Sequence, residues 1–156
     1  MFNWTNSYNG AMKIIRTLDV TESAFYNHLE RELLQDVEAS TGKRLEASSI
    51  QPGFRYVKRQ KKGKGQTQIT VDDYQRGKCY QITSKSPVDT VTVTYLTEGK
   101  GEKTEVSLVE DIASYTPEKQ NRFVRWFSQA MLLGRMSDTV MAMEDAILKE
   151  DTQKGL

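Results

Sequence analysis

The chain has 156 residues, of which 22 are Lys or Arg and 21 are Asp or Glu, so its formal net charge is only +1. A chain of this length fits one domain, and the near balance of charge argues against a nucleic-acid binder, which usually carries a marked basic excess. The single cysteine, Cys79, excludes an internal disulfide, and no stretch is apolar for the ~18 residues that a membrane span needs.

The N-terminal segment lacks the basic start and the apolar run of a signal peptide. We interpret residues 1–11 as an N-terminal extension, residues 12–150 as the domain and residues 151–156 as a tail. Without a leader, a membrane segment or paired cysteines, the protein is expected to be cytoplasmic.

The first predicted element is a strand over residues 13–20, where polar and apolar residues alternate. Asp19 or Thr21 can cap the helix that follows. That helix carries an apolar stripe at i, i+4 spacing, formed by Phe25, Leu29, Leu33 and Val37. Its polar side, with Glu30 and Asp36, is expected to face solvent. Gly42 is expected to end it, and a short second turn or helix should follow.

After Pro52-Gly53 the apolar period changes from helical to strand-like. Apolar residues take alternate positions in five short runs: Phe54/Tyr56, Ile69/Val71, Tyr80/Ile82, Val91/Val93/Tyr95 and Val106/Leu108. Turn signals separate the runs, and short connections favour antiparallel neighbours. The pattern therefore predicts a sheet with one apolar face, which another layer must cover.

The predicted cover is a long C-terminal helix. Thr116 followed by Pro117 is a typical helix start, and the helix could run to about Glu150. Its apolar face is formed by Phe123, Trp126, Phe127, Ala130, Leu133, Val140, Met143 and Ile147. Gly134 interrupts it, at a cost of about 0.8–1.0 kcal/mol relative to alanine. Close packing, a bend or room for a ligand would each account for that glycine.

Several motifs carry a family resemblance: Met12-Lys13-Ile14-Ile15, Leu18-Asp19-Val20, Thr41-Gly42-Lys43, Gly53-Phe54-Arg55-Tyr56 and the aromatic-rich final helix. Through them the sequence resembles an uncharacterised bacterial family, domain of unknown function 3284, over about residues 12–149. The order of elements resembles the helix-grip fold of the START-like (SRPBCC) superfamily. This resemblance implies an α+β fold in which a curved antiparallel sheet of about six strands wraps a long C-terminal helix. This fold often leaves a cavity between the sheet and the helix. The family resemblance supplies no catalytic residues.

The residue types needed for common catalytic or metal sites are scarce. His28 is the only histidine, and its position beside the apolar stripe predicts a surface or boundary side chain. With one His and one Cys, the common Cys/His zinc sites cannot be assembled. No nucleophile-elbow or phosphate-cradling glycine motif occurs. We therefore predict no catalytic residues, no metal and no cofactor.

Charged residues leave two further possibilities. Strand alternation predicts that Asp73 and Glu110 point to the apolar side, with Lys58 as a counter-charge, where a carboxylate can act as an acid or base or lie at a wet rim. The basic run at residues 58–64 is interpreted as a solvated hairpin loop, with contact to phosphate or an anionic surface as the alternative.

The favoured hypothesis is non-enzymatic binding of a small apolar or amphipathic molecule between the sheet and the C-terminal helix. The predicted lining is Tyr56, Ile69, Val71, Tyr80, Ile82, Val93, Tyr95, Leu108, Trp126, Phe127 and Leu133. One alternative is a protein-interaction module with a filled core, whose contacts would lie around Leu132 or Leu148. The other is an acid–base enzyme of the cyclase or hydrolase type. No specific nucleic acid is predicted as a partner.

Overall fold

The computed structural model describes residues 11–59, 65–115, 119 and 121–154, with the backbone alone described at 125–128 and 153–154. Its elements follow in the order β1 (Ala11–Leu18), α1 (Glu22–Thr41), a 3-10 turn (Ala47–Ser49), β2 (Arg55–Arg59), β3 (Gln66–Gln75), β4 (Cys79–Lys85), β5 (Thr90–Lys100), β6 (Lys103–Ile112) and α2 (Arg122–Lys154). The order of elements predicted from the sequence is therefore confirmed.

The six strands form one antiparallel sheet in the order β1-β6-β5-β4-β3-β2. Strands β3 to β6 follow one another through short turns. The last strand, β6, pairs with β1 along the whole length of β1. Cross-strand partners share a face, so Ile14, Leu108, Tyr95 and Tyr80 lie side by side on neighbouring strands. We call the face that carries these residues the concave face.

A β-bulge in β3 changes which acidic side chain faces the helices. Val71 pairs with Ile82 of β4, but Asp73 pairs with Gln81, so the register shifts between Val71 and Asp73. The extra residue reverses the alternation beyond it, and Asp73 points to the outer face together with Gln81. The expectation that Asp73 faces the apolar side is therefore wrong. No glycine or proline marks the bulge in the sequence.

Helix α1 begins and ends at residues whose types favour those positions. The Thr21 hydroxyl accepts a hydrogen bond from the Ala24 N–H at 3.1 Å, so Thr21 rather than Asp19 is the N-cap. Gly42 ends the helix with a φ of 75°, and its N–H donates to the Glu38 carbonyl at 2.9 Å. Glycine suits this position because other residues are strained in the left-handed region.

Both helices cover the concave face. Over β5, the Phe25 ring of α1 meets the Tyr95 ring edge-on with centroids 6.0 Å apart, and the Tyr26 and Thr97 hydroxyls lie 2.6 Å apart. Helix α2 lies against β1, and an ion pair of 2.8 Å between Arg31 and Glu150 joins the two helices. The sequence predicted that α2 covers the sheet, but it did not predict that α1 covers part of the same face.

The hydrophobic core fills the space between the concave face and the helices. The apolar stripe predicted for α1 is confirmed, since all of its residues are buried: Phe25, Leu29, Leu33 and Val37. Helix α2 contributes Met136, Val140 and Ile147, which are at most 2% exposed. Among the described side chains of α2, none before Met136 is buried, and part of the concave face stays open beside α1.

Helix α2 is described from Arg122 to Lys154. The side-chain oxygen of Asn121 accepts a hydrogen bond from the Val124 N–H at 2.9 Å, an N-cap interaction that fits a start at Arg122. The predicted start at Thr116-Pro117 lies outside the described residues. The helix continues to Lys154, past the predicted end near Glu150. Within the described parts of the chain, neither helix combines the length and apolar character that crossing a membrane requires.

Candidate functional site

An open groove of about 350 Å³ lies on the concave face, between α1 and the middle of the sheet. Helix α1 forms one wall, and strands β2, β4 and β5 form the floor. The lining residues are Leu29, Glu32, Leu33, Asp36, Tyr56, Tyr80, Ile82, Val93 and Tyr95. Aromatic and aliphatic walls with a few polar groups are the composition typical of small-molecule sites.

Two tyrosines with free hydroxyls lie in the floor of the groove. Tyr80 and Tyr95 are cross-strand partners on β4 and β5, and their rings lie 6.2 Å apart at an angle of 32°. The two side chains are only 5% and 9% exposed. Neither hydroxyl has a hydrogen-bond partner among the described residues, and neither oxygen is sealed from solvent. Because buried hydroxyls normally have partners, these two are available to a molecule in the groove.

Both hydroxyls are protonated at neutral pH, as tyrosines ordinarily are, and burial raises the pKa of each further. Burial raises the pKa of Tyr95 to about 12, with a smaller contribution from the negative charge of Glu110. Burial also raises the pKa of Tyr80, helped by the neighbouring tyrosines and by Asp36. A protonated phenol both donates and accepts hydrogen bonds, so each tyrosine can serve either kind of polar group.

At one edge of the groove, Asp36 of α1 receives two donors from β2. The Tyr56 hydroxyl donates to one carboxylate oxygen, and Lys58 Nζ lies 2.8 Å from the other. Burial raises the pKa of Tyr56, and the hydrogen bond to Asp36 raises it further. Lys58 thus points inward as predicted, but its partner is a carboxylate that the sequence placed in solvent.

Next to the groove, Glu30 joins α1 to the turn between β3 and β4. Arg76 donates to Glu30 at 2.9 Å and to Asn27 at 2.7 Å, and the Tyr74 hydroxyl donates to the same Glu30 carboxylate. Burial raises the pKa of Tyr74, and the bond to Glu30 adds to it. Glu30 is only 17% exposed, so its expected place in solvent is wrong. This cluster holds the helix against the sheet.

The predicted lining is divided between the groove, the core and α2. The groove itself contains Tyr56, Tyr80, Ile82, Val93 and Tyr95. On the same face of the sheet, the packed core contains Ile69, Val71 and Leu108. Leu133 is 36% exposed on α2, and the side chains of Trp126 and Phe127 lie outside the described residues. A ligand-binding role for this set stays a prediction.

The sequence did not predict the wall that α1 provides, formed by Leu29, Glu32, Leu33 and Asp36. A signal for it was present. Leu29 and Leu33 belong to the predicted apolar stripe, and each carboxylate follows three residues after one of them, which places it on the same side of the helix. The sequence alone could not show that this side meets the sheet around an opening.

The two carboxylates considered for acid–base chemistry lie on opposite faces of the sheet. Glu110 pairs across the sheet with Met12 and Val93, on the concave face, and Arg135 of α2 lies 2.5 Å from its carboxylate. Asp73 lies on the outer face, beyond the bulge. Because the sheet separates them, these two groups cannot act together on one substrate.

His28 and Cys79 lie on opposite sides of the sheet. His28 is only 6% exposed on α1, so the predicted surface or boundary position is wrong, and its Nδ1 has no hydrogen-bond partner among the described residues. Cys79 is buried on the outer face, where desolvation raises its pKa to about 11 and Asp73 adds to the effect. A thiol with such a pKa is a poor nucleophile at neutral pH.

Neither a metal centre nor an anion site stands out in the part of the chain that the structure describes. No three His, Cys, Asp or Glu side chains there are grouped closely enough to hold a metal ion. Most of the basic run lies outside the described residues, and its first member, Lys58, is paired with Asp36.

A second hollow, of about 410 Å³, lies on the solvent side of α1. Its lining is mostly polar: Asn27, Glu30, Arg31, Leu34, Gln35, Glu38, Arg44 and Leu45. The charged members already have ionic partners. We therefore take the groove on the concave face as the candidate site, because it alone of these two combines apolar walls with hydroxyls that have no partner among the described residues.

A curved antiparallel sheet with a long C-terminal helix across its concave face defines a helix-grip α+β domain. The chain belongs to the family described as a domain of unknown function (DUF3284), whose model matches residues 12–131. None of the curated proteins compared with the chain matches it.

Solved structures share this fold at low sequence identity. Ara h 8.0201 superimposes with a TM-score of 0.57 at 10% identity, over 89% of this chain and 97% of its own. The Aha1 dimer from Colwellia psychrerythraea gives 0.56 at 11% identity, over 88% and 95%. TTHA0849 from Thermus thermophilus gives 0.55 at 17% identity, over 90% and 98%. These likenesses concern the fold alone.

Proposed function

We propose that the protein binds a small apolar or amphipathic molecule in the groove between α1 and the sheet, without transforming it. The observation that carries this proposal is the pair of buried tyrosines, Tyr80 and Tyr95, whose hydroxyls have no hydrogen-bond partner among the described residues and are open to the groove. A filled core would give such hydroxyls a partner or bury apolar atoms in their place. A bound molecule would supply that partner.

The lining supports binding rather than catalysis. Among the described residues that line the groove there is no His, Cys, Ser, Thr or Lys side chain. The carboxylate of Asp36 is already engaged by Tyr56 and Lys58. An activated nucleophile or a general base needs a neighbouring group that tunes it, and the groove offers apolar contact with a few hydrogen-bonding positions instead.

Native mass spectrometry of gently purified protein, repeated after denaturation, tests whether a molecule accompanies the chain. A mass that is lost on unfolding would support the proposal and give the mass of the ligand. Binding at the groove is then tested with Nile red, a neutral dye whose fluorescence rises in apolar surroundings.

Two tryptophan variants locate the dye. Val93→Trp fills the groove. Val57→Trp adds the same side chain on the outer face of the sheet, on β2, at a residue that is 42% exposed. We expect Val93→Trp to weaken Nile red binding at least tenfold and Val57→Trp to leave it unchanged. Equal binding by both variants, with far-UV circular dichroism unchanged, would contradict the proposal.

A protein-interaction role is the second candidate, and exposed apolar residues on the first half of α2 favour it. Phe123 is 74% exposed, Met131 is 62% exposed and Val124 is 43% exposed. Val124 and Met131 are seven residues apart, so they lie on one side of the helix. Substitution Met131→Glu should abolish association if a protein docks there, and should leave Nile red binding in the groove unaltered.

A further inference from the structure

The charges of the groove all have one sign. Its lining includes the carboxylates of Glu32 and Asp36 and, among the described residues, no cationic side chain. Lys58 reaches Asp36 from outside the lining. Glu32 has no ion-pair partner among the described residues, so its negative charge is left to face whatever enters.

The aromatic side chains of the groove are also suited to a positively charged ligand. The rings of Tyr56, Tyr80 and Tyr95 are buried in its floor and edge. The face of a tyrosine ring attracts cations, and a protonated phenol can also accept a hydrogen bond from an N–H group. Tyr95 is more than nine-tenths buried and has no protein partner for its hydroxyl, which is a second observation pointing to a ligand, independent of the carboxylates.

We propose that the groove selects amphipathic molecules that carry a cationic amine or ammonium group, and that it discriminates against carboxylates of the same length. The cation lies against Glu32 and the tyrosine rings, while the apolar body contacts Leu29, Leu33, Ile82 and Val93. This inference rests on the proposed binding function and adds the charge of the ligand to it.

The expected selectivity is moderate. A carboxylate at an exposed position such as Glu32 gives a small gain on pairing, and contact with an aromatic face adds to it when the cation is partly desolvated. Together they should favour an amine over a neutral analogue by about tenfold. A carboxylate ligand would meet the negative charge of Glu32, which has no ion-pair partner among the described residues, and should bind more weakly than the neutral analogue.

The test uses displacement of Nile red by three decyl compounds at pH 7.5, each below its micelle concentration: decylamine, decanol and decanoate. Decylamine is protonated at this pH, as lysine is. We expect the order decylamine, decanol, decanoate, with the advantage of the amine shrinking at high ionic strength because salt screens exposed charges.

Matched variants of two α1 residues test whether Glu32 causes the preference for the amine. Glu32→Gln should reduce the amine's advantage over decanol about two- to fivefold. Glu38→Gln, on the same helix but outside the groove, should leave that advantage unchanged. Tyr95→Phe should weaken both decylamine and decanol, since each loses a hydrogen-bonding partner.

The outcomes separate the two proposals. If decanoate displaces the dye as well as decylamine does, or if the preference for the amine is undiminished in Glu32→Gln, the inference about charge is overturned while the binding function stands. The same holds if Nile red binds and no decyl compound displaces it. If Nile red does not bind, or binds equally to Val93→Trp, the binding function itself is overturned.

Discussion

The hydroxyl of Tyr56 on β2 donates a hydrogen bond to the Asp36 carboxylate on α1, across the edge of the groove. A half-buried carboxylate that loses its donor is left partly unsatisfied, and this costs more than the net value of the bond. We predict that a double-mutant cycle of Tyr56→Phe and Asp36→Ala gives a coupling free energy of about 1–2 kcal/mol. Urea unfolding of the four proteins measures it.

A surface pair between Glu38 of the same helix and Arg44, just beyond its C-terminal end, is the control for this cycle. Arg44 Nε lies 3.8 Å from the Glu38 carboxylate, and the two side chains are 88% and 49% exposed. Exposed pairs of this kind contribute little, so the cycle of Arg44→Ala and Glu38→Ala should give less than about 0.5 kcal/mol. Equal couplings in the two cycles would mean that the Tyr56 bond does not hold α1 to the sheet.

The tyrosines should make the fold sensitive to alkaline pH. Burial raises the pKa of Tyr95 from 10.0 to about 12, so the folded chain holds this proton more tightly than the unfolded chain does. The resulting stabilisation is complete below about pH 10 and is lost as pH rises through 12, by at most about 3 kcal/mol for a shift of this size. Urea unfolding between pH 8 and 12 measures the decline.

The variant Tyr95→Phe isolates that contribution. It removes the ionisable group and keeps the ring, so its free energy of unfolding should fall less steeply above pH 10 than that of the unaltered protein. Tyr26, whose pKa burial also raises to about 12, remains in both proteins and leaves a common residual slope. Identical slopes in the two proteins would show that the Tyr95 hydroxyl ionises freely in the fold.

Cys79 should react slowly with thiol reagents while the protein is folded. Its pKa is raised from 9.0 to about 11 by burial first and by the neighbouring Asp73 second. At pH 8 the thiolate fraction is then roughly a hundredfold lower than in the unfolded chain. Because Cys79 is the only cysteine, the iodoacetamide rate in buffer and in urea reports this residue alone. A folded rate close to the unfolded rate would contradict the buried, neutral thiol.

The sequence predicts the elements of this fold well because their signals are local. The alternation of apolar residues marks each strand, and Gly42 marks the end of α1. The β-bulge escapes prediction because Val71 and Asp73 keep the same spacing in sequence whether or not an extra residue intervenes in the pairing. The side of the sheet that Asp73 faces therefore depends on the partner strand.

The candidate site is less predictable because it depends on contacts between distant elements. Composition and alternation indicate that Tyr80 and Tyr95 share a face, and the structure places them side by side. Nothing near Glu30 or Asp36 in sequence shows that tyrosines of β3 and β2 donate to them. Apolar patterning finds the buried face of a helix, whereas the partner of a polar group at its edge is fixed only when the sheet is in place.

Replacing His28 tests whether its buried imidazole lowers the stability of the fold. Its Nδ1 has no hydrogen-bond partner in the described structure, and an unsatisfied buried polar atom costs about 1–3 kcal/mol. We predict that His28→Leu leaves stability unchanged or raises it by up to about 1.5 kcal/mol. Gln35→Leu, an exposed position on the same helix, controls for the added leucine. A loss above about 1 kcal/mol in His28→Leu would reveal a partner for the imidazole.

Gly134 should be replaceable with a gain in stability. A Cβ added there would meet no atom within 4 Å, so close packing does not account for the glycine, and alanine is favoured in a helix by about 0.8–1.0 kcal/mol. Gly134→Ala should raise the Tm by about 2–4 °C. Gly42→Ala is the matched control, since its methyl also enters open space but at a φ of +75°, where alanine costs about 1–2 kcal/mol. If both variants lower the Tm, α2 needs the freedom of glycine at this position.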